Sequence, residues 1–375
     1  MAIQSADFLI IGAGIAGASA ASALAEHGKA VVLEAEERPA FHSTGRSAAF
    51  YASGYGNETI RTLTLAGRDF FRTPDEAFTT TRLLRPRDWF FIARADQLDA
   101  LKETAESLGD GVAPVSAADA EKIVPILRPG YAAGALVDRR GGDLDVDALL
   151  QAYLRLLRWR NGTLVCDARV ESLTRRHGLW HAETRAGAFA APILVNAAGA
   201  WADAVAALAD LSPLGLEPKR RTAMLLDGPA NIDFSDWPLA LDVEEDFYFK
   251  PDAGRLLLSP ADETPSPACD AQPDEMDVAL AVDKFERATT MSVRRVPHKW
   301  AGLRVFAPDR SPVAGFDPRT EGFFWLAGQG GYGIQTAPAL SQFAMHAITG
   351  GKLLPGFDSI RPLATALSPA RLIVS

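Results

Sequence analysis

The stretch FLIIGAGIAGASAASALAEHGKAVVLEAE, residues 8–36, decides the fold of this chain. Its apolar run Phe8–Ile11 predicts a short strand, the alanine-rich segment Ile15–His27 predicts a helix, and Val31–Leu33 predicts a second strand. Gly28 stands where a helix commonly ends. The order of strand, glycine turn, helix and strand is typical of an open α/β sheet.

Three glycines in this stretch predict a dinucleotide site. Gly12, Gly14 and Gly17 form GxGxxG between the strand and the helix. The first makes the tight turn, the second lets backbone N–H groups approach a pyrophosphate, and the third lets helix and strand pack closely. Glu34 ends the second strand about 20 residues further on, where an acid accepts the ribose hydroxyls and disfavours a 2′-phosphate. NAD and FAD share this motif, so the motif alone leaves both open.

Strand-like runs recur far along the chain. Residues 162–166 and 191–199 have the wide spacing of later strands in an open α/β sheet. Segments 83–93 and 246–259 are different in character, being aromatic and broken by turn residues, and they predict an antiparallel sheet. We therefore expect an α/β domain built from discontinuous segments, together with a smaller α+β domain that contains an antiparallel sheet.

Composition excludes several classes of function. The chain has 375 residues, 38 basic against 47 acidic residues and a net charge of −9, with no basic run, so a nucleic-acid partner is not expected. Cys166 and Cys269 are too far apart for a CxxC motif, and the six histidines do not cluster, so we expect no disulfide framework and no metal site. The sequence contains no GxSxG motif and no P-loop, so a hydrolase or kinase function is not expected.

The expected location is the cytoplasm. The apolar N-terminal run imitates a signal peptide, but Asp7 precedes it and no basic region does. No stretch approaches about 18 uninterrupted apolar residues, so no transmembrane segment is expected, while peripheral association with the inner membrane stays open.

Three segments resemble a known family. Residues 34–56, EAEERPAFHSTGRSAAFYASGYG, resemble the segment that the D-amino acid oxidase/dehydrogenase (DAO) superfamily places along FAD. VNAAGAW at 195–201 resembles its strand end beneath the diphosphate, and WLAGQGGYGIQTAPAL at 325–340 resembles its flavin loop and helix. The resemblance is strongest to bacterial D-arginine and D-amino acid dehydrogenases. It implies non-covalent FAD in a Rossmann-type domain of residues 1–56, 140–215 and 300–375, with residues 57–139 and 216–299 binding substrate.

The resemblance also implies which residues contact FAD. For Gly330 and Gly333 there is also a physical reason, because the N-terminus of a helix that follows clustered glycines stabilises the anionic reduced flavin. The implied residues are Gly12, Gly14, Gly17, Glu34, Ser43, Thr44, Arg46, Ser47, Ala48, Val170, Ala198, Gly199, Gly302, Gly330, Gly333 and Ile334.

The substrate carboxylate requires a cation, and arginine matches its planar geometry. By resemblance, Arg304 and Arg221 fill this role, and Tyr55 and Tyr248 are the matching tyrosines. Arg220 and Lys219 are the alternatives to Arg221 if the register is off by one. In DFYFK, strand alternation puts Tyr248 on one face and the two flanking phenylalanines on the other.

The implied pocket departs from the arginine-preferring members of the family. Where they have an acid after LLxPR, this chain has Trp89 with Asp88 beside it, and where they have a histidine it has Phe50. Because Trp89, Phe50 and Phe90 favour apolar surface, we expect a neutral, apolar or aromatic D-amino acid. The implied pocket residues are Phe50, Trp89, Gly331 and Gln335.

The implied reaction is oxidative deamination of a D-amino acid, in which hydride passes from Cα to flavin N5 and the imino acid is hydrolysed to a 2-oxo acid and ammonia. O₂, a quinone or an electron-transfer protein all remain open as the electron acceptor. The alternatives are an enzyme acting on N-methyl or cyclic amino acids such as sarcosine, glycine or D-proline, a flavin domain acting on modified tRNA, and a non-catalytic FAD subunit.

Overall fold

The structure is a computed structural model that describes residues 3–373. Its strands are β1 Gln4–Ser5, β2 Phe8–Ile11, β3 Ala30–Leu33, β4 Phe50–Tyr51, β5 Leu84–Pro86, β6 Trp89–Ala93, β7 Ala113–Val115, β8 Gly134–Asp138, β9 Gly142–Leu144, β10 Thr163–Val165, β11 Val170–Arg176, β12 Leu179–Thr184, β13 Gly187–Ala191, β14 Ile193–Asn196, β15 Glu217–Leu226, β16 Leu239–Asp242, β17 Tyr248–Asp252, β18 Arg255–Ser259, β19 Thr264–Pro265, β20 His298–Phe306, β21 Val313–Phe316, β22 Phe323–Ala327 and β23 Gln329–Gly330.

The helices connect these strands and cover the sheets. They are α1 Ile15–Leu24, α2 Glu58–Ala66, α3 Arg68–Arg72, α4 Leu98–Leu108, α5 Ala117–Ile123, α6 Val146–Trp159, α7 Ala202–Leu208, α8 Glu275–Ala288, α9 Gly333–Thr349 and α10 Ala364–Leu367.

A six-stranded sheet forms the first layer, in the order β10-β3-β2-β14-β22-β21. All its pairings are parallel except that of β21 with β22. One face packs on α1, α6 and α9, and the other packs on α7 and on a sheet of β1, β13, β12 and β11. The α/β prediction and its discontinuous strands are therefore confirmed. Helix α1 ends at Leu24 rather than at the predicted His27, and its C-cap is Ala25 and not Gly28.

A larger sheet forms the second layer, along the path β23-β20-β15-β18-β17-β16-β6-β8-β7 with β19 at its side. Its pairings are antiparallel except that β16 and β6 run parallel. One face packs on α5 and α8, and the other packs on α4 and on the segment 48–55. The predicted segment 83–93 divides between two sheets, because Leu84–Pro86 joins β4 and β9 in a separate three-stranded sheet.

The packing suggests two changes to the proposed domain boundaries. Leu63, Phe71 and Leu83 are buried in the core of the six-stranded sheet, although the division at residue 57 places them with the substrate domain. Strand β20 pairs along its whole length with β15, so it belongs to the larger sheet even though residues 300–306 were expected in the FAD domain. Both changes concern segments whose partners lie far away in the sequence.

Residues 3–373 contain neither a candidate membrane-spanning helix nor a candidate metal cluster. In that range no helix has the length and apolarity needed to cross a membrane. The same residues contain no group of three or more histidine, cysteine or acidic side chains arranged to hold a metal ion.

Candidate active site

A cavity of about 420 Å³ lies between the two layers. It is lined by the carboxyl ends of the parallel strands β2, β3 and β14, which is where ligands bind in open α/β sheets. Residues of β15, β17 and β20 line it from the larger sheet. The predicted site residues that line the cavity are Gly12, Gly14, Glu34, Ser43, Thr44, Arg46, Ser47, Ala48, Val170, Ala198, Gly199, Arg221, Tyr248, Gly302, Arg304, Gly330, Gly331, Gly333 and Ile334.

The glycine turn is shaped for close approach by a ligand. Gly12 has φ of +101°, and a Cβ there would lie 2.6 Å from the Ala197 carbonyl oxygen. A Cβ on Gly17 would lie 1.9 Å from the Gly12 oxygen, so this glycine serves helix packing and does not line the cavity. Gly14 is different, because a Cβ there would meet only Thr44 Oγ1, at 3.2 Å, and would otherwise project into the cavity. The turn therefore offers the cradle that a pyrophosphate requires.

The acid at the end of β3 is fixed by backbone donors. Glu34 is 9% exposed, and its Oε2 accepts a hydrogen bond from the Ala13 N–H at 2.7 Å while Oε1 accepts one from the Glu36 N–H at 3.0 Å. A carboxylate has lone pairs left for further donors, such as ribose hydroxyls. Together with the cradle, this donor set fits the adenosine diphosphate half of FAD.

The 43–46 turn is held in place by bonds to distant segments. Thr44 Oγ1 accepts from the Ile15 N–H at 3.0 Å, and Ser43 Oγ donates to the Leu303 carbonyl at 2.6 Å. The Arg46 guanidinium donates to the carbonyls of Ala271 and Ala301 and pairs with Asp270. Although Arg46 lines the cavity, its donors thus join the turn to the larger sheet, a role that the sequence did not indicate.

Arg304 is the free cation of the site. It lies on β20, and within residues 3–373 no carboxylate comes within 4.0 Å of its guanidinium. Burial lowers the pKa of Arg304, but the phenols of Tyr55 and Tyr248 raise it, and the net direction is upward. A Cβ on Gly331 would lie 2.9 Å from Arg304 Cζ, so the flavin-loop backbone approaches the guanidinium closely. A half-buried charge without a partner is costly, and a ligand carboxylate would compensate it.

Arg221 is the second cation, and it already has protein partners. It is 8% exposed, its Nε donates to the Asp262 carbonyl at 2.7 Å, and its Nη2 lies 3.4 Å from Glu263 Oε1. The alternatives do not line the cavity: Arg220 binds Asp277 at 2.7 Å, and Lys219 binds the adjacent Glu217. Arg221 is therefore the residue of this run that faces the cavity.

The predicted tyrosines occupy different positions. Tyr248 lines the cavity, while Phe247 and Phe249 pack on the opposite face of β17 with α8, as strand alternation requires. Tyr55 lies outside the lining, and its hydroxyl donates to Glu245 Oε2 at 3.2 Å. Burial raises the pKa of Tyr55, although nearby Arg304 lowers it, so its phenol stays protonated at neutral pH.

The expected pocket aromatics lie beside the cavity and do not line it. The Trp89 ring packs edge-on against Tyr55 at 5.6 Å and belongs to the same apolar cluster as Tyr248 and Phe50. The expectation for Phe90 was wrong, because alternation along β6 turns it into the core on the other face of the sheet. Burial raises the pKa of the Asp88 carboxyl, Arg139 lowers it and Asp138 raises it, and the net direction is upward.

Gln335 has an anchoring position. Its Oε1 accepts from the Ala52 N–H at 3.0 Å, and its Nε2 donates to the Ala52 carbonyl at 3.3 Å and to Thr64 Oγ1 at 2.9 Å. The side chain is buried and does not line the cavity, because these bonds direct it toward β4 and α2.

Sequence reasoning missed three residues near the site. Tyr332 packs edge-on against Tyr55 at 4.9 Å, and its place between the flavin-loop glycines could have indicated it. Glu245 and Glu263 reach Tyr55 and Arg221, respectively, from polar connections. No sequence signal marks these two acids, since their partners are distant in the chain.

Comparisons with known proteins agree with this geometry. The family model described as DAO, FAD dependent oxidoreductase, matches residues 7–346. "Uncharacterized oxidoreductase YurR" of Bacillus subtilis is 24% identical, covering 89% of this chain and 92% of its own length. Glycine oxidase from Geobacillus kaustophilus has a TM-score of 0.82 at 20% identity, covering 96% of this chain and 99% of that one. L-proline dehydrogenase from P. horikoshii has a TM-score of 0.80 at 20% identity, covering 97% and 99%.

These two structures, at 20% identity, show that the fold is shared. The family model covers most of the chain, and the glycine cradle and the buried acid fit the cofactor that its description states. The chain thus belongs to the FAD dependent oxidoreductase (DAO) family, and its cofactor is FAD.

Proposed function

We propose that this chain oxidises the Cα–N bond of a D-amino acid with a neutral, apolar or aromatic side chain. The observation that carries the proposal is the Arg304 guanidinium, which faces the cavity without a carboxylate partner among residues 3–373. Arginine binds a carboxylate through two parallel N–H donors, so this position favours a substrate with a free carboxylate. FAD, when bound, supplies the acceptor for the hydride that leaves Cα.

The residues around Arg304 would orient the carboxylate. Arg221 adds a second positive charge on the cavity wall, and Tyr248 adds a phenol that can donate a hydrogen bond. With the carboxylate held at two oxygens, Cα has little freedom to rotate, and such positioning is the main contribution a protein makes when the cofactor carries the chemistry. No side chain is required as a covalent nucleophile.

The aromatic surroundings support an apolar substrate side chain. Tyr248 lines the cavity, and Trp89 and Phe50 belong to the same apolar cluster beside it. Placing a guanidinium against them without a carboxylate would cost free energy, since a desolvated charge needs a partner. Glu245 is the nearby acid, but it is exposed and accepts a bond from Tyr55. The preference for the D-isomer rests on the resemblance of the three sequence segments to D-amino acid dehydrogenases.

Anaerobic flavin bleaching tests the proposal. Purified holoprotein should lose its oxidised flavin absorbance with D-leucine, D-methionine or D-phenylalanine and not with the L-isomers. Bleaching by L-isomers alone would refute the assignment. Admitting air afterwards distinguishes an oxidase from a dehydrogenase that needs a quinone or a protein acceptor, and a quinone would require peripheral association with the inner membrane.

Secondary amino acids are the second candidate. The same carboxylate clamp suits sarcosine or D-proline, and the L-proline dehydrogenase from P. horikoshii shares this fold. Including sarcosine, glycine and both proline isomers in the panel separates this candidate from the first, because sarcosine and proline are secondary amines and glycine has no side chain.

A further inference from the structure

A buried lysine lies behind the expected substrate pocket, outside the site described above. Lys250 is 2% exposed, and its Nζ contacts Asp143 Oδ1 at 2.8 Å and Asp252 Oδ1 at 3.5 Å. Lysine is among the residues least often found fully buried. Asp143 in turn binds Arg87, whose Nε lies 2.6 Å from Oδ2. Arg87, Asp143 and Lys250 thus form a charged triad that joins three distant segments.

Each member of the charged triad is adjacent to one aromatic residue of the apolar cluster beside the cavity. Lys250 follows Tyr248 by two residues on β17, so both side chains point to the same face of the strand. Asp143 on β9 is the direct cross-strand partner of Phe50 on β4, and paired residues share a face. Tyr248 and Phe50 come from sequence positions almost two hundred residues apart, but the Lys250–Asp143 contact fixes their strands together.

Arg87, the third member of the charged triad, lies just before the strand that carries Trp89. Arg87 precedes Trp89 by two residues, and its Nη1 donates to the Ser235 and Trp237 carbonyls, so the start of β6 is tied to the same point. Phe50, Trp89 and Tyr248, which we call the aromatic wall, all belong to one apolar cluster. The three strand segments that carry the wall therefore meet at the charged triad.

Burying charged side chains costs more free energy than filling the same volume with apolar side chains. Replacing a buried ion network with apolar residues of similar volume is often neutral or stabilising, so burial alone does not explain it. What an ion network adds is a defined geometry, because an ammonium bonded to a carboxylate has one favourable position, whereas packed methylenes have several.

We propose that the charged triad is a positioning device that fixes the aromatic wall, in which Tyr248 lines the cavity and Phe50 and Trp89 belong to the same apolar cluster. The proposal rests on the proposed function, since it concerns the same pocket. None of the three residues lines the cavity, so they act through Tyr248, Phe50 and Trp89. Loss of the triad should therefore change recognition of large side chains and leave small substrates unaffected.

The test variant is Lys250→Met, which keeps the length of the side chain and removes the charge. A displacement of about 1 Å in a pocket can cost up to about 10²-fold, so kcat/KM for D-phenylalanine should fall about 10–100-fold, mainly through KM, while that for D-alanine stays within about twofold. Arg319→Met is the matched control, because it also removes a cation from an aspartate, here the buried Asp317 at 2.6 Å in the turn after β21 of the six-stranded sheet. The control should lose thermal stability and leave both substrates unaffected.

Equal losses for D-alanine and D-phenylalanine, or a Lys250→Met profile that matches Arg319→Met, would overturn the inference. Benzoate and acetate binding can be measured without turnover, by titrating each carboxylate and monitoring the absorbance of the bound flavin. Lys250→Met should weaken the binding of benzoate and leave the binding of acetate unchanged. If the wild-type protein oxidises no amino acid but binds both carboxylates, the proposed function fails. The ratio of the benzoate and acetate dissociation constants in Lys250→Met then tests the role of the triad by itself. If wild-type flavin responds to neither carboxylate, both proposals fail.

Discussion

Replacing Arg304 tests the proposed carboxylate clamp most directly. Arg304→Ala should leave FAD content and thermal stability close to wild type, because the guanidinium forms no ion pair within residues 3–373 that folding would lose. The substrate carboxylate would instead enter a desolvated pocket without its partner. Breaking a buried ion pair costs about 3–5 kcal/mol, which corresponds to a loss in kcat/KM of about 10²–10³-fold or more.

Arg304→Lys should recover only part of this loss. An ammonium keeps the charge but lacks the planar fork that holds both carboxylate oxygens. A carboxylate held by one contact lets Cα swing away from the reacting position, so the hydride step should slow as well as binding weaken. Anaerobic stopped-flow measurements under single-turnover conditions separate the two effects, since the limiting reduction rate and the substrate dissociation constant are obtained independently.

Arg220→Ala is the matched control for this experiment. Arg220 precedes the cavity-facing Arg221 on β15 and pairs with Asp277 at 2.7 Å, but it does not line the cavity. Its loss should lower stability without changing the reduction rate. Wild-type kinetics in Arg304→Ala would refute the clamp and move the role to Arg221, whereas a severe loss in Arg220→Ala alone would show that the register of this strand was misjudged.

Four further outcomes are expected. Gly14→Val should abolish FAD binding, because its side chain would occupy the cradle, and a variant that purifies yellow at full stoichiometry would contradict the phosphate site. D-Leucine, D-methionine and D-phenylalanine should each have a higher kcat/KM than D-arginine, and the reverse order would point to Glu245 or Asp88 as a guanidinium partner. Benzoate affinity should not weaken as the pH rises from 7 toward 10.0, the ordinary pKa of tyrosine, because burial raises the pKa of Tyr55 and the phenol keeps its proton; a drop centred below pH 9 would contradict this. Heat or acid should release the flavin into solution, and colour retained on the precipitated protein would show a covalent bond.

Local patterns in the sequence were sufficient for the nucleotide half of the site. A strand, a glycine turn and a helix are each decided by neighbours a few residues away, so residues 8–36 predicted β2, α1, β3 and the cradle at Gly14. The alternation of DFYFK likewise predicted which face Tyr248 occupies. Such features depend on backbone geometry and periodicity, which a single segment contains.

Contacts between segments that are distant in the chain could not be predicted from the sequence. Arg46 was expected along the cofactor, but the structure uses its donors to bind Ala271 and Ala301, and Gln335 anchors Ala52. The partners of Arg221 and Lys250 could not be foreseen either. An arginine or lysine looks the same in sequence whether it is free, paired or buried. Only the tertiary structure brings a given carboxylate within 4 Å of one cation and leaves another, Arg304, without one among residues 3–373, and that difference supports the role that the resemblance had implied for Arg304.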